Sequence, residues 1–169
     1  MKHKLIGLCG PKGCGKSAIA NSLSNWQVVS FAEPMRQMMD VLVDLDELSE
    51  KGKEAPLDSL CGRSYRYALQ TLGTEWGRDM MRLDIWTTRT MREVKKYRRS
   101  YDVIIDDVRF NNEAQAIIQA GGKVIYVQRA SIYKGGDGHP SEGGVFQDLI
   151  HKDIDNTGSI EETLKQLEL

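Results

Sequence analysis

Apolar positions along the chain fall into short continuous runs and helical stripes that follow one another. Leu5-Ile6-Gly7-Leu8-Cys9 is a run closed by Gly10-Pro11 and predicts a strand buried on both faces, which has no need to alternate. Residues 16–24 predict a helix with Ile19 and Leu23 on one face, and Val28-Val29-Ser30-Phe31 predicts a second strand. Pro34 suits a first helical turn, and Met35, Met38, Met39, Leu42 and Leu45 continue from it as one apolar stripe, read as core or a helix interface. Residues 46–62 place Gly52, Pro56 and Gly62 among charges and read as a loop or flexible insertion. Tyr65, Ala68, Leu69 and Leu72 restore the helical period as far as Gly73, and a further helix covers about 84–98.

Val103-Ile104-Ile105 is the most strand-like segment, closed by Asp106-Asp107. Asn111 or Asn112 can cap the next helix, whose inner face is Ala114, Ile117 and Ile118 and which Gly121-Gly122 ends. Residues 123–128 predict another strand, the glycine-rich stretch 134–144 a loop, and Ile154-Asp155-Asn156 a short strand. Ser159 with Glu162 forms a capping box for a final helix. Strands alternating with helices predict an α/β fold, a parallel sheet of about five strands with helices on both faces. Ligands of such sheets bind at the carboxyl ends of the strands, so the polar residues closing each strand are the first candidates for chemistry.

Gly10-Pro11-Lys12-Gly13-Cys14-Gly15-Lys16-Ser17 has the spacing G-x-x-x-x-G-K-[ST], between a predicted strand and a predicted helix. The glycines let backbone N–H groups wrap a phosphate, the helix turns its positive end to the same anion, Lys16 reaches the terminal phosphates and Ser17 ligates Mg²⁺. This makes the fold a three-layer P-loop NTPase fold. Cys14, inside the loop, reads as a small filler rather than a nucleophile. Asp106 and Asp107 stand where a carboxylate can organise Mg²⁺ or its waters, although two adjacent like charges repel and one is expected to point elsewhere.

Composition narrows the partners. In 169 residues, 23 Lys and Arg stand against 24 Asp and Glu, a formal net charge of −1. That is too near neutral for a protein holding long nucleic acid by bulk charge. The sum hides segregation: residues 33–58 hold eight acids against three bases. Arg89, Arg92, Lys95, Lys96, Arg98 and Arg99 make a basic run that reads as a solvated helix face rather than a DNA contact. Cys9, Cys14 and Cys61 have no disulfide or metal spacing, which fits a reducing cytoplasm. No run approaches the ~18 residues of a membrane span, and the start lacks the apolar stretch of a signal peptide. Asn-Lys-x-Asp, the guanine-reading signature, is absent, and the length leaves no room for a motor or helicase second domain. Arg36, Arg78, Arg109 and Arg129 stand at predicted strand and helix ends, where guanidinium forks grip phosphate oxygens in pairs, as a phosphate acceptor requires.

Five blocks occur in order: Gly10 to Ser17; Phe31-Ala32-Glu33-Pro34-Met35-Arg36; Leu69-Gln70-Thr71-Leu72-Gly73-Thr74-Glu75-Trp76-Gly77-Arg78; Ile105-Asp106-Asp107-Val108-Arg109-Phe110-Asn111-Asn112-Glu113; and His139-Pro140-Ser141-Glu142. Over about residues 4–160 the chain resembles the deoxynucleoside monophosphate kinases of bacteriophages. The resemblance implies a single nucleoside-monophosphate-kinase-like domain, with an acceptor-binding helical region at about 33–100 and a lid at about 130–145. It also implies transfer of the ATP γ-phosphoryl to a dNMP, giving dNDP plus ADP in the host cytoplasm. Its cofactors are ATP and Mg²⁺ and its partners small nucleotides, with no membrane and no stable nucleic-acid binding. A homodimer is left open. The chain is shorter than the best-known members, which leaves base preference open.

On this resemblance, Gly10, Lys12, Gly13, Cys14, Gly15, Lys16, Ser17 and Ala18 hold the donor. Ser17 with Asp106 or Asp107 organises Mg²⁺, and Asp107 is favoured because it opens the Asp-Val-Arg-Phe block. Arg36, Arg78 and Arg109 are expected on the acceptor phosphate, and Arg129 is a lid arginine. Phe31, Gln70, Thr74 and Trp86 fall on the acceptor side; Gln70 is equally a solvated helix residue, and Trp86 could stack on a base, though an aromatic at helical spacing is more often core. Asn156, after the last strand, is expected by fold analogy to touch adenine. His139, in the lid loop, is a substrate contact on closure or an ordinary loop residue. The alternatives are another small-molecule P-loop kinase, such as a dephospho-coenzyme-A kinase, and a nucleotide-dependent switch.

Overall fold

The computed structural model describes residues 3–129 and 144–168. In chain order the elements are β1 Leu5–Cys9, α1 Lys16–Asn21, β2 Trp26–Val29, α2 Glu33–Met39, α3 Leu45–Lys51, β3 Pro56–Leu57, β4 Arg63–Ser64 and α4 Tyr65–Thr71. A π-helical segment, Leu72–Met81, continues from α4. There follow α5 Ile85–Tyr97, β5 Asp102–Ile105, α6 Asn111–Gln119, β6 Lys123–Gln128, β7 Lys152–Asp155 and α7 Ile160–Gln166. The chain divides into two compact units, one running to Ser30 and resuming at Arg89, the other Phe31–Thr88.

The first unit is built on a five-stranded sheet of order β2-β5-β1-β6-β7, parallel throughout. The run Leu5–Cys9 lies at its centre and is buried along its whole length. Its alternate residues face opposite layers, as the pleat requires. Ile6 and Leu8 join a core with Ile19 and Ala20 of α1 and with Leu167, against which Ile160 and Leu164 of α7 pack. Gly7 looks the other way, and a Cβ there would overlap Ile117 of α6 and Val108. Helices therefore cover both faces, and an all-apolar strand has no polar side to show. From β1 the chain crosses to the edge strand β2, returns to β5 beside β1, and then crosses to β6 and β7 on the other side, so the loops leaving β1 and β5 part in opposite directions, the usual place for a ligand. The capping box at Ser159 is present: its N–H donates to Glu162 Oε2 at 2.9 Å, and Glu162 N–H donates back to Ser159 Oγ at 3.3 Å.

The second unit corrects the sequence reading in three places. The apolar stripe from Met35 does not run to Leu45: α2 stops at Met39, which is buried, and Leu42 and Leu45 are exposed. Residues 46–62 are not a loop. Asp44 accepts from the N–H groups of Asp46 and Glu47 and so starts α3, and β3 pairs antiparallel with β4 in a small hairpin. Met39, Val43, Leu57 and Tyr65 form its core. Glu47 clips these pieces together, accepting from the Asp58 and Ser59 N–H groups, the Ser59 hydroxyl and the Lys51 ammonium. Those donors, Lys51 first, hold its carboxyl down at about 2. Finally, the helix does not end at Gly73. It widens into the π-helical segment, whose i→i+5 pattern includes Arg82 N–H to Gly77 O at 2.9 Å.

Candidate active site

The loop after β1 is shaped by three glycines at positive φ: Gly10 at 133°, Gly13 at 82° and Gly15 at 97°. A Cβ on Gly10 would strike the Val127 carbonyl of β6, and a Cβ on Gly15 would strike the Asn156 amide. No other residue fits either position. Gly15 leads into α1, whose first bond is Ile19 N–H to Gly15 O at 3.0 Å. Lys12 and Gly13 are exposed with Ser17 and Ala18, while Cys14 is fully buried. Lys16 folds over the loop, its ammonium donating to the carbonyls of Gly10 (2.8 Å) and Pro11 (2.9 Å), with Cys14 Sγ at 3.5 Å.

The carboxylate that meets this loop is Asp106. Ser17 Oγ donates to Asp106 Oδ2 at 2.6 Å. Asp107, the residue favoured from the sequence, is half-buried on the next position. Successive residues leaving a strand point to opposite sides, and the pairing of Val29 with Ile105 and of Gly7 with Ile105 aims Asp106 at the Ser17 side. Asp106 is only 8% exposed, and its other oxygen is also occupied: Ser30 Oγ donates to Oδ1 at 2.5 Å. Ser30 was not among the candidates, although it closes β2 at the ligand edge, and that position was the available signal. Glu113 is a second residue of this kind. It is buried, and its Oε2 accepts from the N–H groups of Arg109 (2.8 Å) and Phe110 (3.1 Å). This pins the turn that carries Arg109, which is half-buried. Arg129 is exposed, directly after β6.

Two oxygen donors of hard character, a serine hydroxyl and one carboxylate, suit Mg²⁺, which keeps several waters and leans on substrate phosphates. Among the described residues no three His, Cys, Asp or Glu side chains gather into a cage that would hold a metal by protein alone. The glycine cradle, with backbone where side chains cannot go, suits a phosphate chain.

Asn156 has a different place from the one expected. It is buried, its Nδ2 donates to Cys14 O at 2.8 Å, and its Oδ1 accepts from Thr163 Oγ1 at 2.9 Å. Both ends of the amide are engaged inside the fold. Within the second unit, Trp86 is 4% exposed and gives its indole N–H to Gly73 O at 2.8 Å, while its ring fills the space beside Gly77. Its ring also lies 6.1 Å, tilted by 42°, from that of Trp76, so the side chain is packed within this unit. Phe31 is buried, and Gln70 and Thr74 are half-buried. Arg78 lies in the π-helical segment, is 7% exposed, and donates to Leu83 O at 3.2 Å. Arg36 is half-exposed and paired with Glu33 at 3.3 Å. Met35 lies against Gly73, which sets α2 beside the start of the π-helical segment. His139 and all but the last two residues of the expected lid fall outside the described residues.

The family model for deoxynucleotide monophosphate kinase matches residues 62–167. A protein of Acanthamoeba polyphaga mimivirus, provisionally named a deoxynucleotide monophosphate kinase, is 34% identical over 155 residues, covering 82% of this chain and 80% of its own. The chain belongs to the deoxynucleotide monophosphate kinase family. Among solved structures, TT1252 from Thermus thermophilus shares the fold at a TM-score of 0.50 and 16% identity, over 99% of this chain and 95% of that one. Shikimate kinase from Aquifex aeolicus aligns at a TM-score of 0.48 and 13% identity, over 97% and 94% of the two chains. No described helix of this family member is long and apolar enough to cross a membrane.

Proposed function

We propose that the protein transfers the γ-phosphoryl of ATP directly to a deoxynucleoside 5′-monophosphate, with Mg²⁺, giving dNDP and ADP. The observation that carries this reading is the Ser17–Asp106 bond of 2.6 Å at the mouth of the Gly10–Ser17 cradle, in a chain of this family. The backbone N–H groups of Gly13 to Ser17 receive the donor phosphates, and Lys16 exchanges its two carbonyl partners for phosphate oxygens. Ser17 Oγ and the Asp106 carboxylate are the groups that would hold Mg²⁺, whose charge, when bound, offsets that of the β- and γ-oxygens. Asp107 then has no first claim on the metal.

The acceptor oxygen belongs to a phosphate of second pKa about 6, largely anionic at neutral pH, so the chain need supply no strong base. Its contribution is position and positive charge. Arg36, Arg78 and Arg109 are assigned to the acceptor phosphate, Thr74 and Gln70 to the acceptor nucleoside, and Arg129 to the transferring phosphoryl. Burial of Arg78 supports a directed role, since taking a charged guanidinium out of water costs free energy that partners must offset.

A coupled ADP-release assay against dNMPs, NMPs and dephospho-coenzyme A tests the proposal. Turnover confined to one or more dNMPs supports it. Turnover with dephospho-coenzyme A, or ADP release that ignores every acceptor, overturns it in favour of another small-molecule kinase or a nucleotide-dependent switch. Arg78→Ala and Arg109→Ala are expected to raise the dNMP KM or lower kcat by at least tenfold, about the effect of one lost charged contact.

A further inference from the structure

We propose that Asn156 is a positioning residue of the phosphate cradle, and that through Cys14 it aims the Gly15 N–H at the donor phosphates. The inference rests on the reading of Gly10–Ser17 as the triphosphate site.

The argument begins with the Cys14–Gly15 peptide. A trans peptide is planar, and its C=O and N–H point in opposite directions. Asn156 Nδ2 donates to Cys14 O at 2.8 Å, so that carbonyl is turned toward Asn156 and the Gly15 N–H is turned away from it. The direction of the amide is not a free choice. Cys14 O can only accept, so the nitrogen must face it, which leaves Oδ1 to accept from the Thr163 hydroxyl at 2.9 Å. Thr163 is fully buried on α7, and Asn156 is itself buried, so neither bond competes with water.

Asn156 is held at its other end as well. Its N–H donates to Gln128 O at 2.8 Å, extending the β6–β7 pairing by one residue. The amide therefore stands on the sheet edge, is locked by α7, and presses on the loop from outside. It comes so close that the position of a Cβ on Gly15 is already filled by Nδ2, with Gly15 at φ 97°. A cradle of N–H groups binds anions in proportion to how well its dipoles are aligned before the ligand arrives. Without Asn156 the Cys14–Gly15 peptide could flip, directing a carbonyl oxygen at a phosphate. This differs from an adenine contact, because it acts on the phosphates alone.

That difference sets the test. Affinities for ATP and for inorganic tripolyphosphate, which has no adenine, are measured by calorimetry on the whole protein for wild type, Asn156→Ala, Asn156→Asp and Thr163→Val. Both ligands are expected to lose affinity by the same factor, about tenfold in Asn156→Ala. Asn156→Asp, of equal shape but presenting an oxygen to the Cys14 carbonyl, should lose more. Thr163→Val, which keeps Asn156 and removes its lock together with the hydroxyl's contact to Ser159 O at 3.0 Å, should lose less. The KM for ATP rises in step while the KM for the acceptor stays. Weaker ATP with unchanged tripolyphosphate would mean an adenine contact and overturns the proposal, as does wild-type affinity in Asn156→Asp. If a position-156 variant fails to fold by circular dichroism, Thr163→Val decides, and wild-type affinity for both ligands there overturns the proposal. No acceptor is present in these titrations, so a wrong acceptor assignment leaves their outcome unchanged. Failure of wild type to bind tripolyphosphate at all would remove the phosphate site and the proposal with it.

Discussion

Ser30 Oγ stands 2.5 Å from Asp106 Oδ1, at the ends of two neighbouring parallel strands. With Ser17 on Oδ2, both oxygens of one buried carboxylate are held by serine hydroxyls. Residues that orient a metal-holding group by a hydrogen bond typically change metal affinity or activity 10–100-fold when removed. Ser30→Ala is therefore expected to weaken Mn²⁺ binding, followed by electron paramagnetic resonance in the presence of ADP, by about tenfold. Unchanged Mn²⁺ affinity would separate Ser30 from the metal site.

Gly10 leaves β1 at φ 133°, against the Val127 carbonyl. Backbone cannot retreat as a side-chain tip can, so Gly10→Ala should cost about 1–3 kcal/mol in urea unfolding. It should also abolish ATP binding, because the displaced segment is the cradle itself.

Trp86→Phe keeps a ring beside Gly77 and removes only the indole donor to Gly73 O. A buried carbonyl left without its partner costs about 1–3 kcal/mol, measurable by urea unfolding. Since Gly73 precedes Thr74 in the π-helical segment, the acceptor KM is expected to rise while the ATP KM is unmoved.

The Glu47 clip gives an acid limb of known sign. Its carboxyl titrates near 2 in the folded protein against 4.5 ordinarily, chiefly through the Lys51 ammonium. The stability it contributes is fully present above about 4.5 and is lost as pH falls toward 2. Glu47→Gln should lower Tm at pH 7, and the gap to wild type should close across that window in a Tm-against-pH series.

Thiol labelling should find one fast site. Cys61 is exposed, whereas Cys9 and Cys14 are buried, and burial pushes the Cys9 thiol up to about 12. Maleimide at pH 7.5 on the native protein should add a single label at Cys61, with Cys9 reacting only after denaturation.

The first unit was largely legible in the chain because its rules are local. An apolar run between turn residues makes a covered parallel strand, and the P-loop spacing needs no tertiary help to be read. The second unit resisted for physical reasons. Asp44 caps α3 with its own side chain, so a charged stretch that looked like loop carries a helix. Leu42 and Leu45 kept the 3.6 period after α2 had already ended at Met39. Beyond Leu72 the backbone adds a residue to each turn, so no α-helical wheel places Arg78 correctly.

By itself the sequence determined the alternation of strands and helices, the phosphate cradle and the group of residues from which the chemistry is drawn, because spacing and side-chain type act over a few residues. Only the tertiary structure decided which member of each group meets which partner. Strand register sent Asp106 rather than Asp107 to Ser17, brought Ser30 to its other oxygen, and turned Asn156 inward onto Cys14. Those partners are separated by 89, 76 and 142 residues. Contacts at such separations depend on how whole elements stack, which no local pattern records.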